Sequence, residues 1–86
     1  MSEIKKSLVG KVTHFYPKIG VAVVALTSQL KVGDRIVIEG KVSSFEQVVE
    51  SMQIEHVNIQ KAESGQSIGM KVVKNVKEGD LVYKIE

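Results

Sequence analysis

Several residue types are missing or scarce in this 86-residue chain. It has no cysteine, no tryptophan, one proline, two phenylalanines and two tyrosines. Without cysteine there is no disulfide framework and no thiolate metal site. The longest unbroken apolar run, Val21 to Leu26, is far shorter than the ~20 residues that cross a bilayer, and the first residues lead into no apolar signal-peptide core. We therefore expect a cytoplasmic protein that contacts neither a membrane nor a metal ion.

The residues that are present have the composition of one small globular domain. Apolar residues make up 43% and charged residues 26% of the chain, which argues against disorder. A chain of this length has room for one modest core and excludes a multidomain enzyme. We predict a single domain over residues 1–86, in which residues 1–6 form a loose N-terminal extension. The formal net charge of +2 is too small to indicate nucleic-acid binding by itself.

Valine, isoleucine and leucine dominate the chain, and β-branched residues favour strands. Turn-forming residues recur at short intervals throughout the sequence. Short apolar segments separated in this way are typical of an all-β sandwich or barrel. The predicted strands cover residues 8–15, 20–26, 34–39, 48–55, 67–72 and 80–85.

One segment of the sequence fits two secondary structures. Apolar residues at positions 45, 48, 49 and 52 have the spacing of a helical stripe, and a serine and a glutamine before it could form a capping box. As a strand, the same stretch places Val48 and Met52 on one face. Periodicity alone leaves both alternatives open.

A four-residue pattern occurs twice, each time before an apolar segment, as KVGD at 31–34 and KEGD at 77–80. Glycine readily adopts the positive φ of a tight turn, and aspartate accepts hydrogen bonds from nearby backbone N–H groups. The sequence therefore assigns structural turn positions, rather than metal-binding or catalytic ones, to Gly33, Asp34, Gly79 and Asp80.

No pattern of catalytic or cofactor-binding residues is present. The Gly-Lys pairs at 10–11 and 40–41 lack the Ser or Thr and the upstream glycine of a phosphate-binding loop. His14 and His56 are the only histidines, whereas a zinc site needs three or four converging ligands. The serines follow no nucleophile motif. The sequence thus predicts a non-enzymatic domain without a cofactor or a metal.

Lysines and tyrosines are the candidate contacts to a partner. Lys71, Lys74 and Lys77 lie close together in sequence, and a second lysine group lies within residues 5–11. If the two groups form one basic surface, it would attract RNA or another acidic partner, and an exposed Tyr16 could stack on a base. The alternative is an ordinary solvated surface, because the chain has no run of five or six like charges.

Four segments carry a resemblance to a known family: QLKVGDRIVI at 29–38, VESMQIEH at 49–56, GQSIGM at 65–70 and KEGD at 77–80. In this order they resemble the second domain of translational GTPases such as elongation factor Tu. The resemblance favours a strand over 48–55 and implies a closed six-stranded β-barrel of the translation-factor type. In such a barrel Gly65 and Gly69 allow turns and close backbone approach. A similar barrel is the C-terminal domain of collagenase-like peptidases.

The resemblance implies a binding module rather than an enzyme. In elongation factors this domain helps to hold the aminoacylated end of tRNA, and Gln53 takes the position of a family glutamate near the terminal adenosine. We predict a stand-alone, non-catalytic module that docks on tRNA, rRNA or a translation component. The expected contacts are Lys71, Lys74, Lys77, Gln53 and Tyr16. The alternative is a protein-interaction adaptor or accessory subunit like the barrel of collagenase-like peptidases, because a shared fold does not settle function.

Overall fold

The computed structural model describes residues 5–41 and 44–85, and within them the chain is all-β, as predicted. The strands are β1 (Lys6–Tyr16), β2 (Val21–Leu26), β3 (Leu30–Lys31), β4 (Arg35–Glu39), β5 (Ser44–Val48), β6 (Met52–Ile54), β7 (Val57–Ile59), β8 (Lys61–Ala62), β9 (Ser67–Lys71) and β10 (Leu81–Ile85). None of the described residues belongs to a helix long and apolar enough to cross a membrane. The predicted extension over 1–6 falls mostly outside the described residues, and β1 begins at Lys6.

The centre of the fold is β1, which pairs with two strands. The main sheet has the order β5-β4-β10-β1-β2-β9-β6-β7, and β3 pairs with β8 separately. The first half of β1 pairs with β10 and its second half with β2, both antiparallel, and Gly10 has partners on both sides. A Cβ atom at Gly10 would lie 2.8 Å from the carbonyl oxygen of Ala25. Glycine therefore permits the close approach of β1 to β2.

One face of this sheet forms the apolar core. In β2 the buried residues alternate with half-buried ones, as expected for a strand with one face packed inward. Val12, Val24 and Ile68 lie side by side on β1, β2 and β9 and are fully buried. Among the described residues no polar or charged residue is buried, so burial of apolar side chains is the main stabilising term for the domain.

The predicted strand over 48–55 is wrong, because the chain leaves the sheet between β5 and β6. Val49 explains the interruption. Its N–H donates to the Asp34 carbonyl and its carbonyl accepts from the Gly33 N–H, both at 2.9 Å. Its side chain is also fully buried, so this residue joins the turn before β4 instead of extending a ladder. Positions 45–52 contain most of β5, the link after it and the first residue of β6, without a helix.

The two KxGD segments form the same turn. In each, the aspartate side chain accepts a hydrogen bond from the lysine N–H three residues earlier, at 2.9 Å, and the glycine has φ of 97° or 96°. Each turn is held by two backbone hydrogen bonds to one buried valine, Val49 for the turn at 31–34 and Val12 for the turn at 77–80. The two turns thus start β4 and β10 in the same way.

The strand order does not close on itself. Among the described residues the backbone pairing runs from β5 to β7 without returning to β5, so the predicted closed six-stranded barrel is not confirmed. A side chain connects β5 across the gap instead. The Gln47 amide N–H donates to the Lys71 carbonyl at 2.8 Å, and its oxygen accepts from the Val73 N–H at 3.0 Å. One amide group therefore joins β5 to the segment that follows β9.

Replacing this bridge tests its contribution to stability. Gln47→Glu keeps the size of the side chain, but a carboxylate cannot donate to the Lys71 carbonyl. We expect a loss of about 1–2 kcal/mol in the free energy of unfolding, measured by urea denaturation at pH 7. Gln53→Glu is the matched control, because the Gln53 amide contacts the exposed Asn58 side chain, and a loss below about 0.5 kcal/mol is expected there. Equal losses in the two variants would contradict the bridge.

Candidate interaction surfaces

The described residues contain no cluster that could form a metal centre. No group of three His, Asp or Glu side chains comes close enough together in residues 5–41 and 44–85 to hold a metal ion. His14 lies on β1, whereas His56 lies in the turn between β6 and β7. What the structure offers instead is two outward-facing surfaces of the sheet.

Three of the five predicted RNA contacts share one outward surface. Tyr16 lies opposite Val21, which lies opposite Lys71, so these side chains form one row across β1, β2 and β9. Directly opposed residues of antiparallel strands point to the same side of a sheet. The next row along the same side holds Gln53, opposite Gly69. We call the surface formed by these residues and their row neighbours on β1, β2, β9, β6 and β7 the Tyr16 face.

His14, which the sequence analysis considered only as a metal ligand, also lies on the Tyr16 face. The rings of His14 and Tyr16 have centroids 4.4 Å apart at an angle of 57°. His14 lies opposite Val23 after a register shift in β1, which places both rings on the outward side. The sequence held a signal for this contact: His14 and Tyr16 are two residues apart, and residues at that spacing point to the same face of a strand.

The Tyr16 face contains no carboxylate from its strands. None of the five strands β1, β2, β9, β6 and β7 contains Asp or Glu, while β1 and β9 supply Lys11 and Lys71. The carboxylates of the sheet lie on β4 and β5, as Glu39 and Glu46. The two lysines on this face therefore meet no carboxylate from its own strands, and Glu55 lies in the turn between β6 and β7.

The other two predicted contacts lie outside the Tyr16 face. Lys74 and Lys77 are exposed residues of the connection between β9 and β10. Lys77 lines a cleft together with Glu39 and Leu81, beside the half of the sheet that carries the acidic residues. The three lysines that are close in sequence thus do not form one continuous patch on the sheet.

A second outward surface is apolar. Leu8, Tyr83 and Val37 form one row across β1, β10 and β4, and Leu81 and Ile85 flank Tyr83 on β10. Leu8 is 46% exposed, and the other four are half-buried. We call these five residues the Tyr83 face. The hint in the sequence was LVYKI at 81–85, where apolar residues occupy the outward positions of a strand whose inward Val82 is buried.

Ion pairs border the Tyr83 face. The Lys6 ammonium lies 4.7 Å from the centre of the Tyr83 ring and pairs with Glu39. On the far side, Arg35 pairs with Glu46 at 2.8 Å. These pairs are exposed and contribute little to stability. An apolar centre with a charged rim is the arrangement that protein–protein interfaces show.

Comparison with known proteins adds relatives in sequence and in structure, although no family model matches the chain. The chain is 42% identical to an uncharacterized protease of Methanocaldococcus jannaschii over an alignment 86 residues long, which covers 99% of this chain and 21% of that protein. It is 33% identical over 84 residues to a collagenase of Porphyromonas gingivalis, covering 95% of this chain and 23% of that protein. The chain thus spans about a fifth of the length of these curated relatives.

Two solved structures share the fold. Both are of the C-terminal domain of the Geobacillus thermoleovorans "putative U32 peptidase". The first has a TM-score of 0.85 at 23% identity and covers 88% of this chain and 96% of that one, and the second has a TM-score of 0.84 at 24% identity and covers 90% of each. Of the two resemblances seen in the sequence, these comparisons support the collagenase-like domain, and they do not support the elongation-factor domain.

Proposed function

We propose that this chain acts as a non-catalytic accessory domain of a collagenase-like peptidase and works by contacting protein. The observation that carries the proposal is the fold match to a separately solved C-terminal domain, of which the chain covers 96%. This chain matches a whole domain of the Geobacillus protein and about a fifth of the length of each curated relative. It therefore has the size expected of an accessory domain. The Tyr83 face gives such a domain a surface for contact with protein.

The proposal is tested by exchanging domains in a relative with a named activity. In the Porphyromonas collagenase, the region that matches this chain is deleted in one variant and replaced by this chain in a second. We expect the deletion to lower collagenase activity and the replacement to restore most of it. Full activity of the deletion variant, or a replacement no better than the deletion, would contradict an accessory role.

A second function is proposed because one specific observation favours it. Tyr16, Gln53 and Lys71, the residues predicted to contact RNA, lie on one face whose strands carry lysines and no carboxylate. Single-stranded nucleic acids bind to such surfaces through phosphate–lysine attraction and base stacking on aromatic rings. In this proposal the sheet acts as a barrel of the translation-factor type, with Gln47 bridging its open side, and the domain works in the cytoplasm.

RNA binding would depend on single residues of the Tyr16 face. We expect Tyr16→Ala and Lys71→Glu each to weaken binding of a single-stranded RNA of about ten nucleotides roughly 10-fold, measured by fluorescence anisotropy at physiological salt. The control is Lys61→Glu on β8, an exposed lysine paired with Glu63, with an expected change below about three-fold. Absence of binding at this salt, or an equal effect of the control, would rule out the face as an RNA site.

A further inference from the structure

We propose that the Tyr83 face is the surface by which this domain docks on the peptidase part of a collagenase-like protein. The inference rests on the proposed accessory function and adds to it the face and the side chains that make the contact. It starts from the five apolar residues Leu8, Val37, Leu81, Tyr83 and Ile85, which lie next to one another across β1, β10 and β4.

The side chains of the Tyr83 face are apolar, yet they do not pack into the core. In β10 the core contact is made by Val82, which is fully buried and lies on the opposite side of the strand. The outward residues Leu81, Tyr83 and Ile85 are only half-buried, and Leu8 is exposed. An outward position on a sheet that faces solvent ordinarily carries a polar side chain. A contiguous apolar patch with a charged rim is typical of a surface that a partner covers.

The place where the chain enters the sheet identifies the occupant. In the Geobacillus protein the matching domain is C-terminal, so the rest of that protein precedes the domain and joins it at the strand that corresponds to β1. In this chain the first residues of β1 border the Tyr83 face, because Lys6 lies opposite Ile85 and Leu8 lies opposite Tyr83. A peptidase part joined ahead of β1, as in that protein, would therefore lie beside this face. The Tyr16 face lies beyond the middle of β1, alongside its second half.

Charges at the rim define what the partner surface must present. Lys6 and Arg35 are already paired with Glu39 and Glu46. Lys11 lies where the two faces meet, beside Ala25 of the Tyr16 face and Leu81 of the Tyr83 face, and forms no ion pair with a described residue. The fitting partner surface is therefore an apolar patch with a carboxylate opposite Lys11. Such a pair fixes orientation more than it adds affinity.

Two tyrosines on different faces allow a direct test. The two samples to compare are the isolated chain and the Methanocaldococcus relative in which the matched region is replaced by this chain. Both are treated with hydroxyl radicals, and labelling is quantified residue by residue by mass spectrometry. We expect labelling of Leu8 and Tyr83 to fall about 10-fold in the replaced protein, as for side chains at the dry centre of an interface. Labelling of Tyr16 should change less than about two-fold, since the rest of the surface stays in water.

A variant shows whether docking, rather than some other change, is what protects Tyr83 from labelling. Leu8→Asp places a charge in the proposed contact while leaving the core untouched, and it should return Tyr83 labelling to the level of the isolated chain. The matched control is Val57→Asp, at an exposed residue on β7, which should keep Tyr83 protected. A Leu8→Asp variant that keeps Tyr83 protected would overturn the docking face.

The remaining outcomes distinguish the docking face from the proposed function. Protection of Tyr16 in place of Tyr83 would show that the domain docks through the other face, so the proposed function would stand and the inference would be wrong. If neither tyrosine nor Leu8 is protected, the domain is not docked through either face, and the inference is overturned. In that case restored activity in the collagenase exchange would still support an accessory role.

Discussion

Val24→Asp is expected to unfold the domain at neutral pH. Val24 is fully buried on β2 between Val12 and Ile68, and no buried polar group among the described residues could pair with the new carboxylate. Burial of an unpaired charge costs several kcal/mol, or forces the group to take up a proton. A domain of this size has a total stability of roughly 4–13 kcal/mol. The measurement is circular dichroism with urea denaturation at pH 7.

The control for this prediction places the same charge on the surface. Val73→Asp changes a valine that is 60% exposed, and its free energy of unfolding should differ from that of the unchanged chain by no more than about 0.5 kcal/mol. If Val24→Asp unfolds cooperatively at the same urea concentration as the unchanged chain, the assignment of the core is wrong.

Gly10→Ala should cause the second-largest loss of stability. The added Cβ would lie 2.6 Å from Val24 Cγ1 and 2.8 Å from the Ala25 carbonyl oxygen. The backbone atom cannot rotate away as a side chain can, so β1 and β2 must separate at the centre of the sheet. Forcing an extra carbon into such a site costs about 1–3 kcal/mol, which corresponds to a fall in the unfolding midpoint of roughly 5–20 °C in a thermal scan.

Gly69→Ala is the matched control on β9. A Cβ there would lie 3.4 Å from Val21 Cγ1 and 3.9 Å from the Gln53 carbonyl oxygen, which is ordinary contact or close to it. We expect a change below about 1 kcal/mol, partly offset by the lower chain entropy of alanine in the unfolded state. A loss at Gly69 equal to that at Gly10 would contradict the close approach as the cause.

The strands with strong apolar character could be predicted from the sequence, and the short ones could not. β2, β4, β9 and β10 lie within their predicted ranges, because each is an apolar run next to a turn. β3, β7 and β8 have only two or three residues, too few for a periodicity to show. β5 was missed because Ser44 and Glu46 on its outward side and Gln47 on its inward side are polar, and its sequence, SFEQV, also fits a helical spacing.

The turn between β6 and β7 shows a second limit of sequence reasoning. Glu55 and His56 both have positive φ, 50° and 66°, as two-residue hairpin turns of the right twist require. Such turns are usually identified by Asn-Gly or Asp-Gly pairs. The turn here is Glu55-His56 and contains neither pair, so the sequence gives no local signal for it. The predicted strand over 48–55 therefore ended at the turn, and β7 at Val57–Ile59 was not predicted.

The candidate surfaces could be predicted only in part because they depend on register. Tyr16 and Lys71 are far apart in sequence, and the pairing of both strands with β2 brings them together. Lys71, Lys74 and Lys77 are close in sequence, yet the chain turns away from the sheet after β9 and separates them. The Tyr83 face likewise exists only because Leu8, Tyr83 and Val37 come into one row from three distant strands.

Docking of this domain inside a larger protein is tested most directly by the stability that the domain gains there. Hydrogen exchange of the β1 and β10 amides would be measured in the isolated chain and in the Methanocaldococcus protein that carries this chain in place of its matching region. Docking stabilises the folded form, so the account predicts exchange at least about 10-fold slower in the larger protein, equal to about 1.4 kcal/mol. Identical exchange rates in the two proteins would contradict it, because a domain that docks on nothing gains no stability from its neighbour.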